Sequence, residues 1–340
     1  MKMKVLAYIL LIPVSLLVLA GAASILISPP WAGSSLAEAL DIPHRAVIAH
    51  RGASVLAPES TTPAYIAARD LGAHYLEADL QRTKDGVIVA FHDETLERTT
   101  NAAQVFPGRE TEPIGSFTYA ELQQLDAGSW FNDAHPGQAR ASYTGLKILT
   151  LEEIIDIAEG GEHRPGLYLE TKSAPLYPGI EEEILEILRR RGWVGSAPQA
   201  SPPPAGKVDV AQGQSRVIFQ SFYLNSLKTL AELAPEVPRV FLISQEMAGE
   251  EGFNSLVAEA APHVQGIGSV GYLGWPWNTG RVHRQGLLVH NYTINESWQM
   301  RLLSFFGADG VFSDRPDTAL EILTGTSTPE AAKILTEAGY

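Results

Sequence analysis

The stretch HRGASVLAPESTTPAYIAARDLGAHYLEADLQRTKDGVIVAFHDETLERTT, residues 50–100, decides how the chain is read. The apolar run Ala46-Val47-Ile48-Ala49 leads into it. That run reads as a buried strand with His50-Arg51-Gly52 at its C-terminal tip. Thr62 to Leu71 follows as a helix, with Pro63 in its first turn and Gly72 as its stop. Tyr75 to Leu80 is the second strand. Side chains alternate along a strand, so Glu77 and Asp79 share one face while Leu76, Ala78 and Leu80 share the other. Asp85-Gly86 between apolar runs marks a tight hairpin. Its return arm, Val87 to Phe91, carries His92-Asp93 back towards Glu77 and Asp79.

Further along, strand and helix patterns alternate. GLYLETK, Gly166 to Lys172, reads as a strand on which Glu170 and Lys172 share a face. Setting the hairpin arm aside, eight strands can be counted: those containing Ile48, Glu77, Glu170, Ile218, Phe241, Val264, Val289 and Val311. Strands separated by helices imply parallel βα units. Eight of them imply an α/β fold of the (β/α)8 TIM-barrel type, with its site at the C-terminal strand ends. The barrel domain is expected over 46–325, with an insertion after the second barrel strand at about 94–147. Within that insertion, Tyr119 to Leu125 reads as a short helix and Gly128-Ser129-Trp130-Phe131 as an aromatic loop. The insertion is expected to pack over the site and help choose the substrate. Residues 326–340 read as a C-terminal tail.

Composition narrows the function. The chain of 340 residues has a formal net charge of -14, which disfavours a nucleic-acid partner. It has no Cys, so disulfides, thiolate metal sites and lipid-modified Cys anchors are excluded. Lys2 and Lys4 precede an apolar run over residues 5–27, long enough to span a hydrocarbon core of about 30 Å. Residues 1–28 therefore read as a signal anchor or a signal peptide, either of which exports the body. The expected location is the periplasmic or extracellular face, with membrane anchoring by residues 5–27. Residues 29–45, with Pro29-Pro30 and Gly33-Ser34-Ser35, read as a linker.

The polar residues at the strand ends suggest a chemistry. Glu77, Asp79 and Glu170 form an all-oxygen cluster that repels itself unless a cation joins it. Hard divalent ions, Ca²⁺ or Mg²⁺, suit such ligands. Arg51 and Lys172 supply fixed positive charge for a phosphate. His50 and His92 come from different strands, so one can take a proton while the other gives one. Each part alone has an ordinary explanation, such as a structural His or a salt bridge. Their conjunction at strand ends argues for a site.

The same residues resemble a known family. His-Arg-Gly, Pro-Glu-x-Thr, Glu-x-Asp, Thr-Lys-Asp-Gly, His-Asp and Glu-x-Lys occur in the order seen in glycerophosphodiester phosphodiesterases. The likeness runs from about Val47 to Pro316 and includes Leu149 to Glu153, Gln220-Ser221-Phe222 and Ser313-Asp314-Arg315-Pro316. The resemblance implies a (β/α)8 barrel that hydrolyses glycerophosphodiesters to glycerol 3-phosphate and an alcohol, using one divalent metal. It implies His50 and His92 as the acid/base pair, and Glu77, Asp79 and Glu170 as metal ligands. Arg51 and Lys172 correspond to phosphate-holding positions and Glu59 to a supporting one. Two departures bear on which alcohol is accepted. Ser60 stands where Asn is commoner. Asn291-Tyr292-Thr293-Ile294-Asn295 stands where Trp-Thr-Val-Asn is frequent, and Tyr292 is a candidate substrate wall. Two other functions remain open: phospholipase D-like action on lysophospholipids or sphingolipids, and a non-catalytic binding or scaffold role.

Overall fold

A computed structural model describes residues 30–195 and 206–340. The apolar run 5–27 lies outside the described residues. Among the described residues, no helix is long and apolar enough to cross a membrane.

The strands are β1 (Ala46–Ala49), β2 (Tyr75–Arg82), β3 (Ile88–Ala90), β4 (Gly166–Thr171), β5 (Val217–Ser221), β6 (Arg239–Ile243), β7 (Gly266–Val270), β8 (Leu288–Tyr292) and β9 (Gly310–Ser313). All but β3 pair in parallel, and β9 and β2 both pair with β1, so eight strands close into a barrel. The fold is a TIM barrel. β3 lies antiparallel to β2, with Leu80 opposite Ala90 and Arg82 opposite Ile88, as the Asp85-Gly86 hairpin requires. The seventh strand begins at Gly266, two residues past Val264. Val264 is instead buried in the outer core.

The alternation along β2 divides two cores. Leu76, Ala78 and Leu80 point outward and pack with the surrounding helices. Tyr75 points into the barrel, where it joins Ile48, Tyr168, Ile218, Val240, Leu288 and Phe312. Tyr168 meets Tyr75 edge-on at 5.7 Å and Phe312 at 4.9 Å. These rings stand one step below Glu77 and Glu170 on the same strand faces, so the polar site rests on an aromatic floor. Gly310 lets β9 pack closely between β1 and β8, since a Cβ there would come within 2.9 Å of both the Ala46 carbonyl oxygen and His290 Cδ2.

The helices follow from local signals. They include α1 (Pro30–Ala39), α2 (Thr62–Leu71), α3 (Leu151–Glu159), α4 (Ile180–Arg190), α5 (Leu224–Leu233), α6 (Phe253–Ala260), α7 (Pro276–Arg284), α8 (Ser297–Phe305), α9 (Pro316–Thr324) and α10 (Ala331–Glu337). Thr150 and Glu153 form a reciprocal capping box that starts α3. Gly72 ends α2 with φ 95°.

Several expectations need correction. The stretch read as a linker contains α1, and its Ala37, together with Ile42, packs into the barrel-interior cluster beside Ala46 and Tyr75. The N-terminal end of the barrel would otherwise expose that apolar surface. The stretch read as a tail contains α10, whose Ile334 and Leu335 are buried in the outer core. Gly128 to Phe131 is not a loop but leads into a short helix, Ser129–Ala134, with Phe131 buried against Tyr143. The insertion builds its own small core from Leu96, Ile114, Phe117, Leu122 and Leu125 against Val89 and Phe91. It packs beside the hairpin, through bonds such as Lys84 N–H to the Phe117 carbonyl, and beside the turn between β1 and the next helix, where the Tyr143 hydroxyl donates to the Leu56 carbonyl. Only its first few residues reach the polar cluster.

Candidate active site

The site is assembled from strand ends. β1 ends in His50-Arg51-Gly52, where Arg51 (φ 56°) and Gly52 (φ 85°) adopt consecutive left-handed conformations. The turn aims the Arg51 N–H at Glu77 Oε2, 2.8 Å away. Gly52 is required there, because a Cβ would lie 2.6 Å from the Ala64 backbone. The Arg51 guanidinium donates to Glu59 Oε1 at 3.0 Å and lies 3.2 Å from Asp79 Oδ2. That second contact is an ion pair without hydrogen-bond alignment, and Asp79 Oδ2 is buried with no hydrogen-bond partner.

Glu77, Asp79 and Glu170 are all buried, and one carboxylate oxygen from each lies within 4.8 Å of the others. The pairing of β2 with β4 sets Asp79 directly opposite Glu170. Lys172, just past β4, bridges them at 3.4 Å from Asp79 Oδ1 and 3.2 Å from Glu170 Oε1. Gln220, on β5, donates to Glu77 Oε1 at 3.0 Å.

The electrostatics express the crowding. Burial, with Asp79 as a like charge, pushes Glu77 well above the usual carboxylate range. The same two causes bring Glu170 up to about 7. Burial would also raise Asp79, but Lys172 and Arg51 outweigh it and hold that carboxyl below its ordinary value. Glu77 and Glu170, then, are pushed towards holding their protons, while Asp79 is held towards its ionised form. An orphaned buried oxygen, three convergent carboxylates and two of them pushed towards protonation fit a hard divalent cation.

The two imidazoles are held alike. His50 Nδ1 lies 2.7 Å from Asp314 Oδ1, and His92 Nδ1 lies 2.6 Å from Asp93 Oδ1. The carboxylates assign the proton to Nδ1 in each case, leaving Nε2 for chemistry. Asn295 donates to Asp314 Oδ2 at 2.6 Å, and the Ser54 hydroxyl donates to Oδ1 at 3.0 Å. Burial and Arg51 hold His50 below its ordinary value, against the opposing pull of Asp314. The hairpin positions His92, since the Phe91 N–H donates to the Asp79 carbonyl at 2.9 Å. Arg98 closes the ring by donating to both Asp93 and Glu59.

Arg51, Glu59, Glu77, Asp79, Glu170, Lys172 and His92 thus fall into one network of hydrogen bonds and ion pairs, while His50, next to Arg51 in the chain, is held separately by Asp314. Tyr292 stands across the mouth on β8, where its hydroxyl donates to the Ile243 carbonyl at 3.0 Å. Its ring meets Phe222 edge-on at 5.9 Å, and Phe222 in turn faces Lys172 Nζ at 5.8 Å. Sequence reasoning did not single out Asp93, Arg98, Gln220, Asn295 or Asp314. Asp93 adjoins His92, and Gln220 and Asp314 lie in quoted motifs, but their partners are set by the closed barrel. Asn295 likewise closes the quoted Asn291 to Asn295 stretch, but its bond to Asp314 is made only in the folded barrel.

A closed (β/α)8 barrel with buried carboxylates, two cations and two oriented imidazoles at its C-terminal mouth has the parts of a phosphodiester hydrolase. Comparison with known proteins agrees. Residues 50–318 match the glycerophosphoryl diester phosphodiesterase family, and the chain belongs to that family. It is 35% identical over 284 residues to a glycerophosphodiester phosphodiesterase of Bacillus subtilis, covering 82% of this chain and 86% of that one. Among solved structures it is similar to an Oleispira antarctica phosphodiesterase in complex with the product sn-glycerol-3-phosphate. That match has a TM-score of 0.64 and 27% identity, covering 83% of this chain and 98% of the other. A glycerophosphodiester phosphodiesterase of Agrobacterium tumefaciens matches with a TM-score of 0.57 and 25% identity, covering 81% and 98%. The protein is an enzyme, a glycerophosphodiester phosphodiesterase.

Proposed function

We propose that the enzyme hydrolyses glycerophosphodiesters to glycerol 3-phosphate and an alcohol, with one divalent cation held by Glu77, Asp79 and Glu170. The observation that carries this reading is the convergence of those three buried carboxylates with Arg51 and Lys172 at one barrel mouth. The Oleispira relative's complex with sn-glycerol-3-phosphate supports the product assignment. When bound, the cation, Ca²⁺ or Mg²⁺, polarises a phosphoryl oxygen.

Arg51 and Lys172 attract the phosphate, and Glu59 holds the Arg51 fork in place. His50 and His92 share the proton work. One Nε2 takes the proton of the attacking hydroxyl, and the other delivers a proton to the departing alkoxide. The attacking group is water, or the neighbouring glycerol hydroxyl through a cyclic phosphate. Asp314 and Asp93 keep each imidazole in the tautomer that leaves Nε2 free. Tyr292 and Phe222 offer an apolar wall for glycerol. We also propose that residues 5–27 tether the enzyme at the periplasmic or extracellular face.

Release of glycerol 3-phosphate from glycerophosphocholine tests the activity. Purified full-length enzyme supplied with Ca²⁺ or Mg²⁺ is expected to release it, and His50→Ala is expected to be nearly inactive. No release from any head group, with metal supplied, overturns the reading.

A further inference from the structure

Glu77 and Asp79 do not complete their face of β2. The next residue on that face is Gln81, which is fully buried and which the reaction above does not use. Its side-chain amide is fully committed. Nε2 donates to the Phe91 carbonyl and to the Asp93 carbonyl, each at 2.7 Å, and Oε1 accepts from the Tyr177 hydroxyl at 2.9 Å. Phe91 and Asp93 flank His92 in the chain. One amide therefore grips the backbone on both sides of one imidazole. Two carbonyl acceptors at one end and a hydroxyl donor at the other also fix which way the amide is turned.

His92 needs such a grip. β3 ends at Ala90, so His92 stands past the last ladder pair, on a turn with no strand of its own. His50, by contrast, directly follows β1 and its partner Asp314 directly follows β9, so the barrel carries both. Arg98 holds Asp93 from the exposed side, and Gln81 holds it from the buried side. Tyr177 extends the grip to other segments. It is buried in the loop after β4, beyond Lys172. Gly115 of the insertion packs on its ring, where a Cβ would lie 3.0 Å from Tyr177 Cε1. Ser173 of the same loop donates to Glu94 Oε1, two residues past His92, at 3.0 Å. The β4 loop, the insertion and the His92 turn are thus linked through Tyr177 and Gln81.

We propose that Gln81 is a positioning residue for proton transfer at His92, with Tyr177 fixing the orientation of its amide. The inference rests on the reading above, in which His92 shares the proton work. The bonds of the amide run to the His92 turn and to Tyr177, not to the proposed metal ligands or to Arg51 and Lys172. Removing the amide therefore displaces the imidazole while the metal site and the phosphate-binding cations keep their own partners. A displacement of about 1 Å is enough to slow a reaction by about 10²-fold.

The test measures kcat, KM and the metal concentration for half activation on glycerophosphocholine, with full-length enzyme. Gln81→Ala should lower kcat by about 10- to 100-fold. KM and the metal requirement should stay within about threefold of wild type, since the interactions that bind substrate and metal are kept. Tyr177→Phe removes a single oxygen and carries the test if Gln81→Ala does not fold. It should lower kcat by about 2- to 10-fold, as expected for one hydrogen bond. The decisive arm places each change in a His92→Ala background. There the residual rate should move by less than about twofold, because no imidazole is left to position. Unchanged kcat in the variants that fold overturns the inference. A loss in the His92→Ala background as large as in wild type also overturns it, because Gln81 would then serve only the fold. So does a loss that excess metal restores, because Gln81 would then serve the metal ligands through β2. Each of these results spares the hydrolytic reading. Wild-type turnover by His92→Ala would instead remove His92 from the proton work, and this inference would fall with that reading.

Discussion

The two sides of the barrel mouth are built on opposite principles. On the β1, β2 and β4 side, buried carboxylates, Arg51, Lys172 and His50 meet within a few ångströms, and most polar atoms have a designated partner. On the β7 and β8 side, uncharged aromatic and aliphatic groups line an open groove. The charged side is costly to assemble, since removing carboxylates from water raises their pKa values and strands oxygens such as Asp79 Oδ2. Such a cost is sustained where chemistry needs concentrated charge. The aromatic side exposes apolar surface to water, which is sustained where something apolar is bound.

Substitutions can break that contrast, the largest effects coming from the charged side. Glu77→Ala removes a proposed ligand and the acceptor of both the Arg51 N–H and Gln220. Its turnover is expected to fall to background at any metal concentration, measured as glycerol 3-phosphate release. His50→Ala should lower kcat by about 10² to 10⁴ through loss of proton transfer, with metal binding by calorimetry retained. Gln220→Ala keeps every proposed ligand but frees Glu77 to swing. The metal concentration for half activation should rise by about 10- to 100-fold, with kcat at saturating metal much less changed. A kcat collapse that excess metal does not rescue would show that Gln220 serves more than the metal ligands.

The pH dependence sharpens the same side. Burial and like charge raise both Glu77 and Glu170, the latter up to about 7. A raised carboxylate holds its proton as pH falls, and a cation must displace that proton. Metal loading should therefore weaken as pH drops below about 7, by up to about tenfold per pH unit for each proton released. Titrating the metal at several pH values measures this. A pH-independent affinity would mean that the carboxylates are already ionised. The smallest effect belongs to the aromatic side. Trp298→Ala should change glycerophosphocholine turnover by less than about twofold, because nothing in the charged network touches it.

The sequence shows the two sides unequally. Glu77 and Asp79, and Glu170 and Lys172, are legible because i and i+2 share a strand face, and the Asp85-Gly86 turn fixes where His92 returns. The eight strands are legible from their alternation with helices. The aromatic side leaves no such mark. Trp275, in the turn after β7, and Phe306, at the end of α8, come from separate segments and meet only once the barrel closes. Helix α7 is equally hidden, since Asn278-Thr279-Gly280 has weak helical propensity and tertiary packing decides it. Helices α1 and α10 are short and flanked by Pro, Gly and Thr, so they read as linker and tail. Burial of Ala37 and Leu335 against the barrel is what orders them.

The central claim is that Glu77, Asp79 and Glu170 form the metal centre on which hydrolysis depends. The most direct measurement strips the full-length enzyme of metal, then follows Ca²⁺ or Mg²⁺ binding and glycerophosphocholine hydrolysis in one titration, for wild type and Glu77→Ala. The expected result is that wild type binds one ion per chain, with activity rising in parallel, and that Glu77→Ala shows neither. Full activity of the stripped wild type, or unchanged binding by Glu77→Ala, would contradict it.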